Sequence, residues 1–445
     1  MAPTNARSLM KDFRASFRRK KVPSTPKIDK AEQQPKEEEL AKLVELKENL
    51  GENVPSRYSD SELLAFLRAR SLNVKEAEKL MTVDFNLRRF LQMDEFLQNP
   101  EMPQIILNKK YTVSGIIGFD KDGYLVRVVN VGHSDIKGFI NVLSTMENFK
   151  LFLWFLENDR KLQEAENRKT GNKNKQITYI LNMDNLSLTK LMDKAVLETG
   201  LLAIKLLQDH YHDVVRAAYI INAGALFSSA FKLFKPVIKE DLHQRIKVLG
   251  DNWKEELLNR IDADILPAYL GGNRVDSDND PMCKSLIGFG GPIDESYYPT
   301  EFLQLDDPDV ISVIVPSGGS LFYRFPVPAV GSIVRWDIES KENDIGIQVF
   351  LDAVVDEITQ GKAKKRKDED VSQMEPLTPY IRSQCQLCPE KGQTVAWFTG
   401  TIVLQIDNSY SWMSSKDITF KITVEPPKNG EKNHLNGTHH ATKKA

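Results

Sequence analysis

The stretch from Ala217 to Gly250 constrains the fold of this chain most, because a strand pattern runs directly into a helical one. Residues 217–223 (AAYIINA) form a short apolar run with β-branched and aromatic side chains, which predicts a buried strand. Four large apolar side chains then recur at i, i+4, i+7 and i+11: Phe227, Phe231, Phe234 and Ile238. At about 100° per residue, these four positions share one face of a helix.

This aromatic stripe has two interpretations. Lys232, Lys235 and Lys239 lie beside it. Phenylalanines flanked by lysines are typical of a helix that covers an apolar cavity or touches a membrane interface, because the ammonium groups stay in water. The same spacing is also expected of an ordinary helix that faces a protein core. Spacing alone leaves both interpretations open.

Four motifs follow one another in this part of the chain: YIINA, SSAFKLFKP, LGDNWKEELL and LPAYLGG. Their order resembles the CRAL-TRIO lipid-binding domain of the phosphatidylinositol and phosphatidylcholine transfer proteins. The resemblance implies that the strand forms part of a cavity floor and that the aromatic helix is the gate over a lipid-binding cavity. It also implies that LPAYLGG is the turn that closes the domain.

Upstream of these motifs, strand patterns (GYLVRVVNV, QITYILNMD) alternate with helical ones, which predicts an α/β layer. Before them, residues 36–105 have helical patterns and include LLAFLRARS, which resembles the N-terminal helical region of the same family. We therefore expect a helical region at 36–105 and an α/β CRAL-TRIO lipid-binding domain at 106–275.

The texture of the sequence changes after Gly272. Residues 276–307 are rich in Gly, Pro and Asp, which indicates either an ordered linker or a closing segment packed on the domain. Short strand patterns over residues 308–427 predict an all-β sandwich. Within it, GGSLFYRFPV, IVRWDI, DIGIQVF and LQIDNSYSWMSSKDITFKITV resemble the GOLD (Golgi dynamics) domain. That resemblance implies contact with a protein partner or an organelle membrane.

Both ends of the chain are polar. The first 27 residues hold eight basic residues and one acidic residue, a local charge of +7. We expect residues 1–35 to be a basic disordered tail, either drawn to anionic lipid by about 1 kcal/mol per basic residue or simply solvated. Residues 428–445 are also expected to be a disordered tail.

The sequence has no catalytic signature. GxSxG, HExxH and Walker motifs do not occur in it, and His210 and His212 are spaced so that a helix would point them apart. Cys385 and Cys388 form a CxxC without other ligands at zinc spacing, which indicates reduced thiols. With three cysteines and a net charge of -2, we expect a cytoplasmic non-enzyme with no cofactor, metal or nucleic-acid partner.

A phosphoinositide head group needs Arg or Lys donors for its phosphate and a carboxylate for its hydroxyls. The phosphatidylinositol-transfer members use an Arg-Lys pair ending the FLRAR motif, a Glu before the central strand, and a Thr and a Lys after the gate. The matching positions in this chain are Arg70, Ser71, Asp213, Leu242 and Arg245.

The resemblance therefore implies a head-group site of Arg70, Asp213 and Arg245. Ser71 and Leu242 remove one cation and one hydroxyl, so phosphatidylinositol, phosphatidylcholine and a tocopherol-like lipid all stay open as the ligand. The structural alternative for Arg70 and Asp213 is a salt bridge that joins the helical region to the sheet.

These features predict a cytoplasmic lipid-binding and lipid-exchange protein that associates peripherally with membranes, such as Golgi or endosomal membranes. It would take up a single lipid by opening the helix that bears the phenylalanines. The alternative is a signalling adaptor that acts through the GOLD-like sandwich, with a cavity that is merely structural.

Overall fold

The computed structural model describes residues 35–51, 54, 58–224, 227, 231, 234–354, 364–366 and 369–427. The basic tail predicted at residues 1–35 lies outside the described residues except for Pro35, and the tail predicted at 428–445 lies outside them entirely.

Helices form the N-terminal region, as the sequence predicts. They are α1 (Glu37–Leu50), α2 (Asp60–Arg68), α3 (Val74–Phe90), α4 (Met93–Gln98) and α5 (Pro103–Tyr111). Ser59 and Glu62 cap α2 reciprocally, and the Asn73 side chain accepts the Glu76 amide at the start of α3. These caps satisfy amides that have no partner inside a helix, which fixes where each helix begins.

A five-stranded sheet follows, in the order β1 (Ser114–Phe119), β2 (Leu125–Asn130), β3 (Ile177–Asn182), β4 (Val215–Ile221) and β5 (Ile246–Val248). Strand β1 is antiparallel to β2, and the other neighbours are parallel. Parallel neighbours require long crossovers. Helices lie in those crossovers: α6 (Ile136–Val142), α7 (Thr145–Thr170), α8 (Leu188–Met192), α9 (Lys194–His210) and α10 (Glu240–Arg245).

One face of this sheet is covered by the chain after β5. Helix α11 (Trp253–Leu258) and the LPAYLGG turn bury Leu257, Leu266 and Leu270 against it. The turn needs glycine, because a Cβ on Gly272 would lie 1.9 Å from the Leu266 carbonyl oxygen. The motif that marks the end of the domain in the sequence therefore closes the core of this face.

The segment at 276–307 packs along β1. Gly288 and Gly290 donate backbone hydrogen bonds to Ser114 and Thr112, over 3.3 and 3.0 Å. A Cβ on Gly288 would lie 2.0 Å from the Thr112 carbonyl oxygen, so only glycine allows this approach. Gly288 and Gly290 thus allow the backbone of this segment to pack closely on the sheet.

The remaining strands form two antiparallel sheets, which agrees with the predicted β-sandwich. One has the order β10-β7-β14-β9-β11, with β12 also paired to β9, and the other has the order β13-β8-β15-β6. The strands are β6 (Ile311–Val315), β7 (Ser320–Val327), β8 (Ile333–Ser340), β9 (Ile345–Asp352), β10 (Lys364–Arg366), β11 (Glu375–Pro376), β12 (Ile381–Ser383), β13 (Glu390–Val395), β14 (Gly400–Asp407) and β15 (Lys416–Glu425).

The sandwich shares a hydrophobic core with the helices of the α/β part. Phe90 stacks on Trp336 with the ring centroids 4.8 Å apart, and Met146 and Phe149 belong to the same buried cluster as Ile381. This shared core joins the sandwich to α3 and α7, a contact that the sequence did not predict.

Glu390 is a buried carboxyl at this interface. Its Oε1 accepts hydrogen bonds from Ser144 Oγ (2.7 Å) and the Met146 amide (3.2 Å), and its Oε2 accepts one from Ser383 Oγ (2.8 Å). Burial raises the pKa of Glu390 to about 7, although the hydrogen bonds from Ser144 and Ser383 lower it.

Glu390→Gln should make the protein less sensitive to alkaline pH. Because the pKa of Glu390 is raised on folding, the stability that this carboxyl contributes is present at low pH and is lost as pH rises from about 4.5 through 7. We expect the free energy of unfolding of the variant, relative to wild type, to increase by about 2.5 kcal/mol between pH 5 and pH 8. Urea denaturation at the two pH values measures this change.

Glu342→Gln is the matched control, since Glu342 is exposed in the same sandwich. Its difference from wild type should not vary with pH. A Glu390→Gln difference that is equal at pH 5 and pH 8 would contradict the raised pKa.

Candidate functional site

The second face of the sheet is only partly covered. In the central strand β3, Ile180 is buried on the first face, whereas Tyr179 and Leu181 point to the second face and are half-buried. Half-buried apolar side chains from the surrounding helices and strands join them: Leu207, Leu242 and Ile246. An apolar surface therefore lies between the sheet and helices α9 and α10.

The aromatic stripe contacts α9, one of the helices that border this surface, through Phe234. Phe227 and Phe231 stack with ring centroids 5.7 Å apart and an interplanar angle of 25°. Phe234 packs on α9, where a Cβ on Gly200 would lie 3.3 Å from Phe234 Cε1. All three phenylalanines are helical and half-buried. Glycine at position 200 thus lets the aromatic helix approach α9.

Ile238 lies beyond the helix of the phenylalanines. Residues Lys235–Val237 form a 3₁₀ turn, and Ile238 is extended, with φ of -80° and ψ of 124°. Pro236 explains the change, since proline lacks the amide that an α-helix needs. The turn is held by Gln208 of α9, whose Nε2 donates to the Val237 carbonyl over 3.1 Å.

Two of the three candidate head-group residues form an ion pair. Arg245 Nη2 lies 2.5 Å from Asp213 Oδ1, and Arg245 also donates to the Val215 carbonyl. Gln176 Nε2 donates to the same Asp213 oxygen over 2.6 Å. Leu242, which stands where the transfer proteins have Thr, packs in the apolar surface instead. The pair therefore lies beside the apolar surface, next to the start of β4.

Arg70 lies beside a different set of side chains. Its charge lowers the pKa of both His212 and Lys239, although burial is the largest cause of both shifts. Lys239 Nζ lies 3.4 Å from Asp209 Oδ1, and Lys205 Nζ lies 3.4 Å from Asp209 Oδ2. Arg70, Lys205, His212 and Lys239 thus lie close together near Asp209, and we call them the basic cluster.

His212 is the least expected member of the basic cluster. Burial, together with the charges of Lys239 and Arg70, lowers the pKa of His212 to about 3, so the imidazole is neutral. Its ring packs edge-on against Phe66 at 4.8 Å, and its Nε2 has no hydrogen-bond partner among the described residues. In the sequence, the closely spaced His210 and His212 and the lysines beside the stripe were the signals that could have indicated this cluster.

A buried polar network holds the N-terminal helices against the end of α9. His210 Nδ1 lies 2.7 Å from Asp84 Oδ1, and Tyr211 Oη donates to Glu157 over 2.7 Å. Arg88 pairs with the same glutamate at 2.9 Å. These contacts join the helical region to the α/β part and fix the segment that leads into Asp213.

Within the described ranges, no group of three or more His, Cys, Asp or Glu side chains could hold a metal ion. Cys385 and Cys388 are free and buried, and burial raises the pKa of both thiols, that of Cys388 to about 12. In that same part of the chain, no helix is both long enough and apolar enough to cross a membrane.

Substitutions at Asp213 separate its charge from its backbone conformation. Asp213 has φ of 65°, a region that Asn and Asp tolerate but that costs other L-residues about 1 kcal/mol. Its side chain is 43% exposed, so the pair with Arg245 is worth about 1 kcal/mol or less. We expect Asp213→Asn to lower the free energy of unfolding by at most about 1 kcal/mol, and Asp213→Ala to lower it by about 1 kcal/mol more. Chemical denaturation that gives equal values for the two variants would contradict the conformational part.

The comparisons with known proteins concern both halves of the chain. Protein ctg-1 of Caenorhabditis elegans is 25% identical over 369 residues, which are 82% of this chain and 92% of that protein. A second Caenorhabditis elegans protein, described as CRAL-TRIO domain-containing, is 24% identical over 70% of this chain and 44% of its own length. The crystal structure of Sfh5 aligns with a TM-score of 0.35 at 16% identity, over 58% of this chain and 94% of that one.

The region that contains the sheet, the aromatic stripe and the closing turn also matches a family model. That match, described as the CRAL/TRIO domain, covers residues 109–272. It spans all five strands of the sheet and ends at the second glycine of LPAYLGG. Residues 109–272 therefore match the CRAL/TRIO domain, as the motifs in this part of the chain predicted.

Proposed function

We propose that this protein binds a single lipid between the sheet and the aromatic helix and exchanges it at membranes. The observation that carries the proposal is the half-buried apolar face of β3, together with the packing of Phe234 on α9, the helix that also supplies Leu207 to that face. Apolar side chains at the centre of a sheet gain about 25 cal/mol for each Å² removed from water, so a lipid chain would be stabilised there. Phe227, Phe231 and Phe234 act as the gate, and Ile238 marks its hinge side.

We assign the polar end of the lipid to the pair of Arg245 and Asp213. A guanidinium and a carboxylate 2.5 Å apart can bind a phosphate and a hydroxyl of one head group, once the phosphate competes with Asp213 for Arg245. Arg70, in the basic cluster, contributes positive charge on the same side of α9 as Lys239. Phosphatidylinositol, phosphatidylcholine and a tocopherol-like lipid are the candidate ligands.

We assign the regions of the chain as the sequence suggested, with helices at 36–105, the lipid-binding domain at 106–275, a closing segment at 276–307 and a GOLD domain at 308–427. The GOLD domain supplies contact with a partner or an organelle membrane. On this proposal the protein is cytoplasmic and visits a membrane such as that of the Golgi or the endosome. It is a carrier without catalytic chemistry.

Mass spectrometry of an organic extract tests the proposal directly. The full chain, purified without detergent, should yield close to one lipid molecule per protein. An extract without lipid, together with no lipid transfer between vesicles, would refute the carrier function. The remaining hypothesis would then be a signalling adaptor that acts through the sandwich.

Phe231→Asp should slow lipid transfer. The charge would have to leave water whenever the gate closes on acyl chains, so we expect transfer between vesicles to be at least about tenfold slower, with the melting temperature nearly unchanged. A fluorescent-lipid transfer assay measures the rate. Phe302→Asp, at an exposed phenylalanine far along the chain, is the matched control and should transfer at the wild-type rate. Normal transfer by Phe231→Asp would mean that this ring faces neither lipid nor membrane.

Arg245→Ala should separate phosphate-bearing ligands from neutral ones. Losing a charged hydrogen bond costs about 1.5 kcal/mol or more, so phosphatidylinositol loading should fall about tenfold or more. Loading of a tocopherol should barely change, because its binding rests on apolar burial. Equilibrium loading of both ligands measures this, with Arg335→Ala in the sandwich as the control. An equal loss for both ligands with a lower melting temperature would make Arg245 structural.

A further inference from the structure

The loop between β14 and β15 presents two large apolar side chains to solvent. Trp412 is 74% exposed and Met413 is 89% exposed. Tryptophan is seldom so exposed, because burying its large ring removes more apolar surface from water than burying most other side chains does. The neighbouring residues 408–415 read NSYSWMSS and include no charged side chain. We call this segment the apolar loop.

Hydrogen bonds hold the apolar loop in a defined shape. Asn408 Nδ2 donates to the carbonyls of Val315 (3.3 Å), Pro316 (3.2 Å) and Ser414 (2.9 Å). The Gly318 amide donates to the carbonyls of Asn408 and Ser411. A tip that is already ordered loses little conformational entropy when it docks.

A third exposed apolar side chain, Ile314, lies on the strand that the apolar loop contacts. It is exposed on β6, next to the Val315 carbonyl that Asn408 contacts. Asp417 lies opposite Ile314 in the strand register, and Glu342 is exposed on the neighbouring turn. Lys341 is exposed on the same turn, and its amide donates to the Asp417 carbonyl. The exposed charges near the loop are therefore of both signs, which suits a zwitterionic surface better than a strongly anionic one.

The apolar loop is anchored to helix α9 through its inward-facing tyrosine. Tyr410 Oη donates to the Asp344 carbonyl over 3.0 Å, and the Arg382 guanidinium lies 3.9 Å above the Tyr410 ring. Asp344 pairs with Lys194 at 2.8 Å, and Arg382 pairs with Glu198 at 3.0 Å. Both Lys194 and Glu198 lie in the first turns of α9.

The gate contacts the same part of α9 on another face. Phe234 packs on Gly200, which is two residues after Glu198 and so about 200° further round the helix. The anchor of the apolar loop and the gate thus lie on opposite sides of one helix. A membrane contact made by the loop would tether the helix on which the gate packs to that membrane.

We propose that Trp412 and Met413, with Ile314 nearby, insert into the interfacial region of a zwitterionic lipid bilayer and tether the lipid-binding part of the protein to that membrane. The proposal rests on the proposed lipid exchange and adds the residues that make the membrane contact. Indole prefers the interface between head groups and acyl chains, and an uncharged, hydroxyl-rich loop suits that position. A protein partner is disfavoured, because the two side chains at the tip of the apolar loop offer much less area than the roughly 800 Å² that a stable protein–protein interface buries on each partner.

Binding to vesicles of pure phosphatidylcholine tests the proposal. In the full chain, the double substitution Trp412→Ser and Met413→Ser should weaken binding at least about tenfold, since two large apolar side chains stay in water. The fold loss of vesicle binding should be the same at about 0.1 M and about 0.5 M NaCl, because it does not involve charge. The matched control is Phe302→Ser with Leu305→Ser, which removes exposed apolar side chains elsewhere and should bind as wild type does.

The lipid extracted from the double variant separates this proposal from the carrier function. If the variant carries its lipid and melts as wild type does, but no longer binds vesicles, the apolar loop is the membrane contact. If the double variant binds vesicles as tightly as wild type, the proposal is overturned and the carrier function stays intact. The same conclusion follows if the wild-type chain carries a lipid but does not bind phosphatidylcholine vesicles.

Discussion

The buried pairing of Arg382 with Asp344 and Glu198 is the contact on which the arrangement of this protein depends. Arg382 Nη2 lies 3.0 Å from Glu198 Oε1, and it also pairs with Asp344. Burial would raise the pKa of Asp344, but the neighbouring Arg382, Lys194 and Lys416 charges lower it. Removing one member of a buried pair costs about 3–5 kcal/mol, because the remaining charge loses its partner without regaining water. The sandwich therefore has a strong preference for one position on α9.

Helix α9 connects the sandwich to the rest of the molecule. Its first turns bind the sandwich, Gly200 receives Phe234, and Gln208 holds the turn at Val237. At its end, His210 binds Asp84 of α3. One helix thus contacts the sandwich, the aromatic stripe and the N-terminal helices, and their positions relative to one another depend on it.

Local patterns in the sequence predicted much of this architecture. The apolar runs of β3 and β4 and the short strands of the sandwich depend on residues close together in the chain, where periodicity is informative. The closing turn at Gly272 was expected from the family resemblance of LPAYLGG. The stacking of Phe90 on Trp336 and the burial of Glu390 against Ser144 join residues more than 240 positions apart. Neither contact has a periodic signal, so neither could be predicted.

The candidate site shows the same limit on a smaller scale. Motif matching placed Arg70, Asp213 and Arg245 in one group, and the structure pairs Asp213 with Arg245 while Arg70 influences Lys239 and His212. The stripe likewise loses Ile238, because Pro236 ends the helical geometry that the spacing assumed. Spacing gives the direction of a side chain only while the backbone stays regular. At the end of the aromatic stripe the backbone is irregular, and this irregular turn, held by Gln208, sets Lys239 beside Asp209.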